Sequence, residues 1–170
     1  MPDDLSGAIA QFTPRLRAFA FSLVNDEAEA DDLVQETCLR AIGARDRFVP
    51  GTNLKAWLFP ILRNLHRNRR RDLAVRPSSV GFEEVAEHNL ADERPISSVE
   101  RRAVARADVE DMARVFRTLP PAFAVPLHLV AVEDLSYRQV AAILDIPIGT
   151  VMSRVYRARR LLMARLAGGD

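Results

Sequence analysis

The sequence holds one cysteine, one lysine and one tryptophan among 170 residues, and each scarcity removes a class of answer. Cys38 alone cannot close an internal disulfide, which excludes a small cystine-stapled scaffold. No window approaches the roughly 18 consecutive apolar residues of a membrane span. The N-terminal Met1-Pro2-Asp3-Asp4 is acidic where a secretory signal is basic and then apolar, so a cytoplasmic protein is expected. His66, His88 and His128 stand apart, and no cysteine pair, nucleophile elbow or phosphate loop accompanies them. No metal site, no cofactor and no catalytic residue is therefore expected. With 7 glycines and 6% aromatics against 48% hydrophobic and 28% charged residues, the composition fits a helix-rich globular chain.

The net charge of +1 argues against a uniformly basic coat, but the distribution is uneven. Six carboxylates and no base lie between Asp26 and Glu36, whereas five arginines and no acid lie between Arg63 and Arg71. Such alternation suggests surfaces with different partners. Apart from Lys55 every basic residue is arginine. The planar guanidinium suits phosphate and base edges, although an arginine-rich genome accounts for the bias equally well.

Thr13-Pro14 reads as an N-cap with proline at the first helical position, starting a helix from about Pro14 to Val24. A second helix starts near Asp26, and its stripe of Ala30, Leu33, Val34, Thr37, Cys38, Ala41 and Ile42 leaves Asp31, Asp32, Gln35 and Glu36 largely outside. Turn chemistry over Phe48 to Asn53 precedes a third apolar pattern through Leu54, Trp57, Leu58, Ile61, Leu62 and Leu65. Pro60 predicts a kink or break near Ala56 to Phe59. From about Asp72 to Arg102 periodicity is poor, prolines recur and acids gather at Glu83, Glu84, Glu87, Asp92 and Glu93, the mark of a linker. Helical pattern returns near Val104, runs through Val109, Met112, Val115 and Phe116, and stops at Pro120-Pro121. A further helix spans about Ala122 to Val132. The division is therefore two small all-α domains, 1–72 and 104–170, joined by an acidic linker at 73–103.

Ser136-Tyr137-Arg138-Gln139 is a capping box that opens a short helix ending near Leu144. Asp145 tolerates a left-handed backbone, Ala141 allows two helices to cross closely, and a second helix starts at Pro147-Ile148. This is helix-turn-helix spacing. Val151, Val155, Ala158 and Leu162 face the core, while Ser153, Tyr156, Arg157 and Arg160, flanked by Thr150 and Arg154, are placed for phosphates and base edges. An ordinary amphipathic helix with a solvated arginine face is the plainer alternative. In the same way, Asn64, Arg67 and the arginines after them suit strand recognition, or merely cap their helix's dipole.

These segments, in this order, resemble an extracytoplasmic-function sigma factor of the sigma-seventy class, over about Pro14 to Arg71 and Val104 to Leu166. Asp31-Asp32-Leu33-Val34-Gln35-Glu36-Thr37 is similar to the part of sigma region two that docks on the beta-prime clamp helices, and the resemblance assigns Asp31, Asp32, Gln35 and Glu36 to that contact. Phe48 to Asn64 is similar to the part that melts and reads the minus-ten element. Asn64 and Arg67 match strand-contacting positions, and the Phe48 to Asn53 loop matches the one that receives a flipped base. Pro60 departs from the pattern, and the Pro50-Gly51-Thr52-Asn53-Leu54 run resembles general-stress-response members. Leu135 to Arg154 is similar to region four, which reads the minus-thirty-five element, although Met152 stands where relatives often carry a base.

The resemblance implies a non-catalytic initiation subunit that joins core RNA polymerase at the beta-prime clamp helices and the beta flap, engages promoter DNA and is held in check by an anti-sigma factor. Stand-alone operator binding as a dimer, with residues 1–71 for oligomerisation or sensing, is the main rival. A purely structural adaptor is a third.

Overall fold

The computed structural model describes residues 2–74, 102 and 107–168, and among them every regular element is helical. Helix α1 spans Pro2–Val24, α2 Glu27–Gly43 and α3 Leu54–Ala74, with a 3-10 turn at Arg45–Arg47. Helices α4 Val109–Arg117, α5 Pro121–Ala131, α6 Tyr137–Leu144 and α7 Ile148–Leu166 follow. The expected acidic linker, with Glu83 to Glu93, and the return of helix near Val104 lie almost wholly outside the described residues.

The first helix starts twelve residues earlier than Thr13-Pro14 predicts, and Pro14 sits inside it. The proline removes one amide and leaves the Ala10 carbonyl without its helical donor, but Ala10 is on the exposed side of the helix, where the loss costs little. Ile9, Phe12, Leu16 and Phe19 form a buried row across the proline, and this packing holds the helix together. Pro60 behaves alike: α3 runs unbroken from Leu54 to Ala74, so the predicted break does not occur. Ala56, the residue whose carbonyl loses its donor, is exposed, while Leu58, Phe59 and Leu62 are fully buried. Local backbone loss is outweighed by a buried row in which each large side chain contributes about 1.5–3 kcal/mol.

Asp26 starts α2 by accepting the Glu29 amide at 2.8 Å. The stripe Ala30, Leu33, Val34, Thr37 and Ala41 is buried and Cys38 half-buried, but Ile42 at its end is exposed. Helices α1, α2 and α3 pack on one another, and the Phe19 and Phe59 rings meet at 4.8 Å. Asp108 caps α4, whose Val109, expected in the apolar stripe, is exposed at the helix's first turn.

Pro121 stands at the first turn of α5, and inside the helix Ala122 and then Ala124 to Leu129 are all buried. A helix apolar on every side needs cover on every side. One side of α5 packs on α7 and another on α1, where the His128 and Phe19 rings stack at 6.4 Å. The hydrophobic core is consequently continuous from the first three helices into the last four.

Candidate nucleic-acid and protein-docking surfaces

Three surfaces carry the chemistry, and the first is the outer face of α2. At about 100° per residue, Asp31, Asp32, Gln35 and Glu36 fall on one arc. Asp31, Asp32 and Gln35 are exposed and Glu36 is half-buried. Asp31 Oδ1 accepts from Arg17 Nε at 2.5 Å. Glu36 accepts from Arg69 Nη2 at 2.6 Å and from Arg40 Nη2 at 2.9 Å. The Arg69 hydrogen bond is the main reason its carboxyl is held below the usual range. Leu39, 71% exposed, and the exposed Ile42 fall on the same arc. Sequence reasoning missed Leu39, whose signal was an apolar residue off the buried stripe. Apolar side chains set among carboxylates mark an interface core more than a solvated face.

The second surface is α3 with the loop before it. Gly51 takes φ +83, a conformation that costs glycine nothing, and the Thr52 hydroxyl donates to Val49 O at 2.6 Å. Asn53 Oδ1 accepts the Lys55 amide at 3.0 Å, which caps α3 and fixes the loop to it. The Phe48 ring leans on Trp57 at 5.0 Å, so Phe48 is anchored and Trp57 is half-buried core. Leu58, Leu62, Leu65 and His66 point inward. His66 has its pKa pushed down to about 4, by burial first and then by Arg70, Arg63 and Arg69. Asn64 and Asn68 are exposed on the opposite side, with Arg67 half-buried between them. Arg67 Nη1 lies 3.5 Å from Asp145 Oδ2, in the turn between α6 and α7.

The third surface is α7. The capping box forms as expected: Ser136 Oγ accepts the Gln139 amide at 3.2 Å, and Gln139 Oε1 accepts the Ser136 amide at 2.9 Å. Asp145 ends α6 in the left-handed region at φ 55, and α7 then buries Val151, Val155, Ala158 and Leu162. The helix carries five arginines and no acid. Tyr156 is exposed, and Arg160 lies 5.8 Å from its ring centroid and donates to its hydroxyl at 3.2 Å. Ser153 donates to Thr150 O at 3.1 Å. Thr150, Ser153, Arg154, Arg157 and Arg160 are half-buried, while Ile148, Gly149, Met152 and Arg159 are exposed, as is Tyr156. The open face is thus turned from where periodicity alone centres it, because the flank holding Thr150 and Arg154 is packed. Arg159 went unnoticed as a surface candidate for that reason, and Met152 stood out only through the resemblance.

Among the described residues no group of histidine, cysteine or carboxylate side chains could hold a metal, and no helix is long and apolar enough to cross a membrane.

Residues 8–75 match the family model of sigma-70 region 2, and residues 110–162 match that of sigma-70 region 4. The chain is 40% identical to the ECF RNA polymerase sigma factor EcfG of Rhodopseudomonas palustris, over 98% of this chain and 87% of that protein. It is 33% identical to the ECF RNA polymerase sigma factor SigC of Mycobacterium tuberculosis, over 83% of this chain and 72% of that one. Among solved structures it is similar to the sigma factor RpoE of Bartonella quintana in complex with the anti-sigma factor NepR, with a TM-score of 0.67, 36% identity and 98% of each chain covered.

Proposed function

The chain belongs to the extracytoplasmic-function sigma factors, and we propose from that premise how its three surfaces divide the work of starting transcription. Asp31, Asp32, Gln35 and Glu36, with Leu39 and Ile42 between them, dock on the beta-prime clamp helices of core RNA polymerase. The second module seats on the beta flap. Asn64 and Arg67, with Phe48 and Asn53 in the loop, hold an unpaired strand of the minus-ten element. Thr150, Ser153, Arg154, Tyr156, Arg157 and Arg160 engage the minus-thirty-five element in the major groove.

No bond chemistry is asked of these residues, and the chain acts as a non-catalytic subunit in the cytoplasm, where polymerase and promoter meet. Unpairing a base costs a few kcal/mol. Contacts from a rigid helix and a capped loop repay that best, since their side chains lose little freedom on binding. Two modules on one chain also raise each other's effective concentration at the promoter.

The observation that carries this reading is the pairing of an acid-free, five-arginine recognition helix with a separate amide-and-arginine face on α3, in one chain. Regulation follows the Bartonella relative, whose structure contains an anti-sigma factor. A comparable inhibitor holds this chain, consistent with a stress response.

Run-off transcription with purified core polymerase and a promoter library tests the proposal. Polymerase-dependent initiation from a defined subset of templates is the expected result. Tight duplex binding without polymerase, and no initiation, would return the operator-binding alternative.

A further inference from the structure

Two ionic contacts cross between the modules, and both take cations from the first. Glu133, directly after α5, has its side chain only 2% exposed. Arg15 Nη2 of α1 lies 2.6 Å from its Oε2, a pairing of charges without the alignment of a hydrogen bond. Lys55, in the first turn of α3, donates to the Glu133 carbonyl at 2.6 Å with its ammonium 3.9 Å from Oε2. Midway along α3, Arg63 Nη2 donates to the Leu144 carbonyl, the C-terminal end of α6. Its Nη1 lies 4.0 Å, and Arg67 Nη1 3.5 Å, from Asp145 Oδ2. The Arg63 side chain is 14% exposed, so this guanidinium is committed to the contact.

A carboxylate facing two arginines occupies them as a backbone phosphate would. We propose that the second module is a built-in competitor for promoter phosphates. Asp145 occupies the Arg63 and Arg67 guanidinium groups, Glu133 fixes Arg15 and Lys55, and the free chain stays closed until both contacts release. The two contacts differ in kind. Glu133 is buried, and losing its partners leaves a charge uncompensated. Asp145 is exposed, its attraction is weak and screened by salt, and the polyanionic phosphate chain can displace it. The proposal rests on the reading of α3 as a strand-holding face.

The test uses the full chain free of polymerase, with random-sequence single-stranded DNA as probe, because phosphate contacts are independent of sequence. Asp145→Asn keeps a side chain that tolerates the left-handed backbone and removes the charge. Asp134→Asn is the control: Asp134 is also exposed at φ 54, and the same charge is lost outside the ion pairs of Arg63 and Arg67. Asp145→Asn is expected to bind the probe several-fold more tightly than Asp134→Asn, and equal binding overturns the competition. Small-angle scattering reads closure separately. The wild type is expected near the compact radius of gyration for its length, about 15–16 Å, with clear expansion in the Glu133→Gln, Asp145→Asn double variant. An expanded wild type overturns the closed state, and a folded double variant that stays compact overturns the two ionic contacts as what holds it. If Asn64→Ala and Arg67→Ala leave polymerase-dependent initiation unchanged, the reading of α3 fails, whatever scattering shows.

Discussion

Arg157 and His66 show how differently one residue can act on this molecule. Arg157 sits on an acid-free helix beside Tyr156 and Ser153, where a bidentate contact to guanine is worth about 1–3 kcal/mol. Arg157→Ala is expected to lower initiation about ten-fold or more at promoters with the preferred minus-thirty-five sequence. Promoters altered at the contacted base should change little, and equal losses on both would make the contact one to phosphate. His66 acts through folding. Its pKa is lowered to about 4 in the folded chain against about 6.5 unfolded, so the unfolded chain takes up the proton first. Its contribution is complete above about pH 6.5 and is lost as pH falls towards 4, at no more than about 1.4 kcal/mol per unit. Denaturant titrations of the wild type and His66→Met over that window check it. The wild type should lose stability more steeply, and parallel curves would remove the claim.

At the scale of elements, the capping box sets the helix-turn-helix. The Ser136 hydroxyl holds the Gln139 amide, so Ser136→Ala is expected to cost about 1 kcal/mol, read as a shifted denaturation midpoint with an unchanged slope. This part of the fold was legible because the signals are local: the cap, the left-handed Asp145 and the buried Val151, Val155, Ala158 and Leu162 lie within a few turns of one another. The proline positions were misleading for the converse reason. Pro14 and Pro60 carry strong local signals, but each stands beside an exposed carbonyl and a row of buried side chains, and tertiary packing decides. The acidic arc on α2 was visible in the spacing, whereas Leu39 became informative only once its exposure was known. The contacts of Glu133 and of the turn at Leu144 and Asp145 had no local signal, since the hydrogen bonds from Lys55 to Glu133 and from Arg63 to Leu144 span 78 and 81 positions.

For the molecule as a whole, the decisive feature is that α5 is covered from both sides, which makes one core of two modules. Phe19 stands at the join, with its ring 4.8 Å from Phe59 of α3 and 6.4 Å from His128 of α5. The chain carries its own probes for this coupling, because Trp57 lies in the first module while both tyrosines, Tyr137 and Tyr156, lie in the second. In denaturant, tryptophan fluorescence and tyrosine absorbance are expected to report coincident midpoints, the behaviour of a single cooperative unit. Phe19→Ala removes a fully buried ring, a loss of about 3–5 kcal/mol, and both midpoints should fall together even though the substitution is in the first module. A tryptophan curve that shifts while the tyrosine curve stays in place would mean that α5 finds its cover within its own module. The continuous core would then have no part in holding the two halves closed.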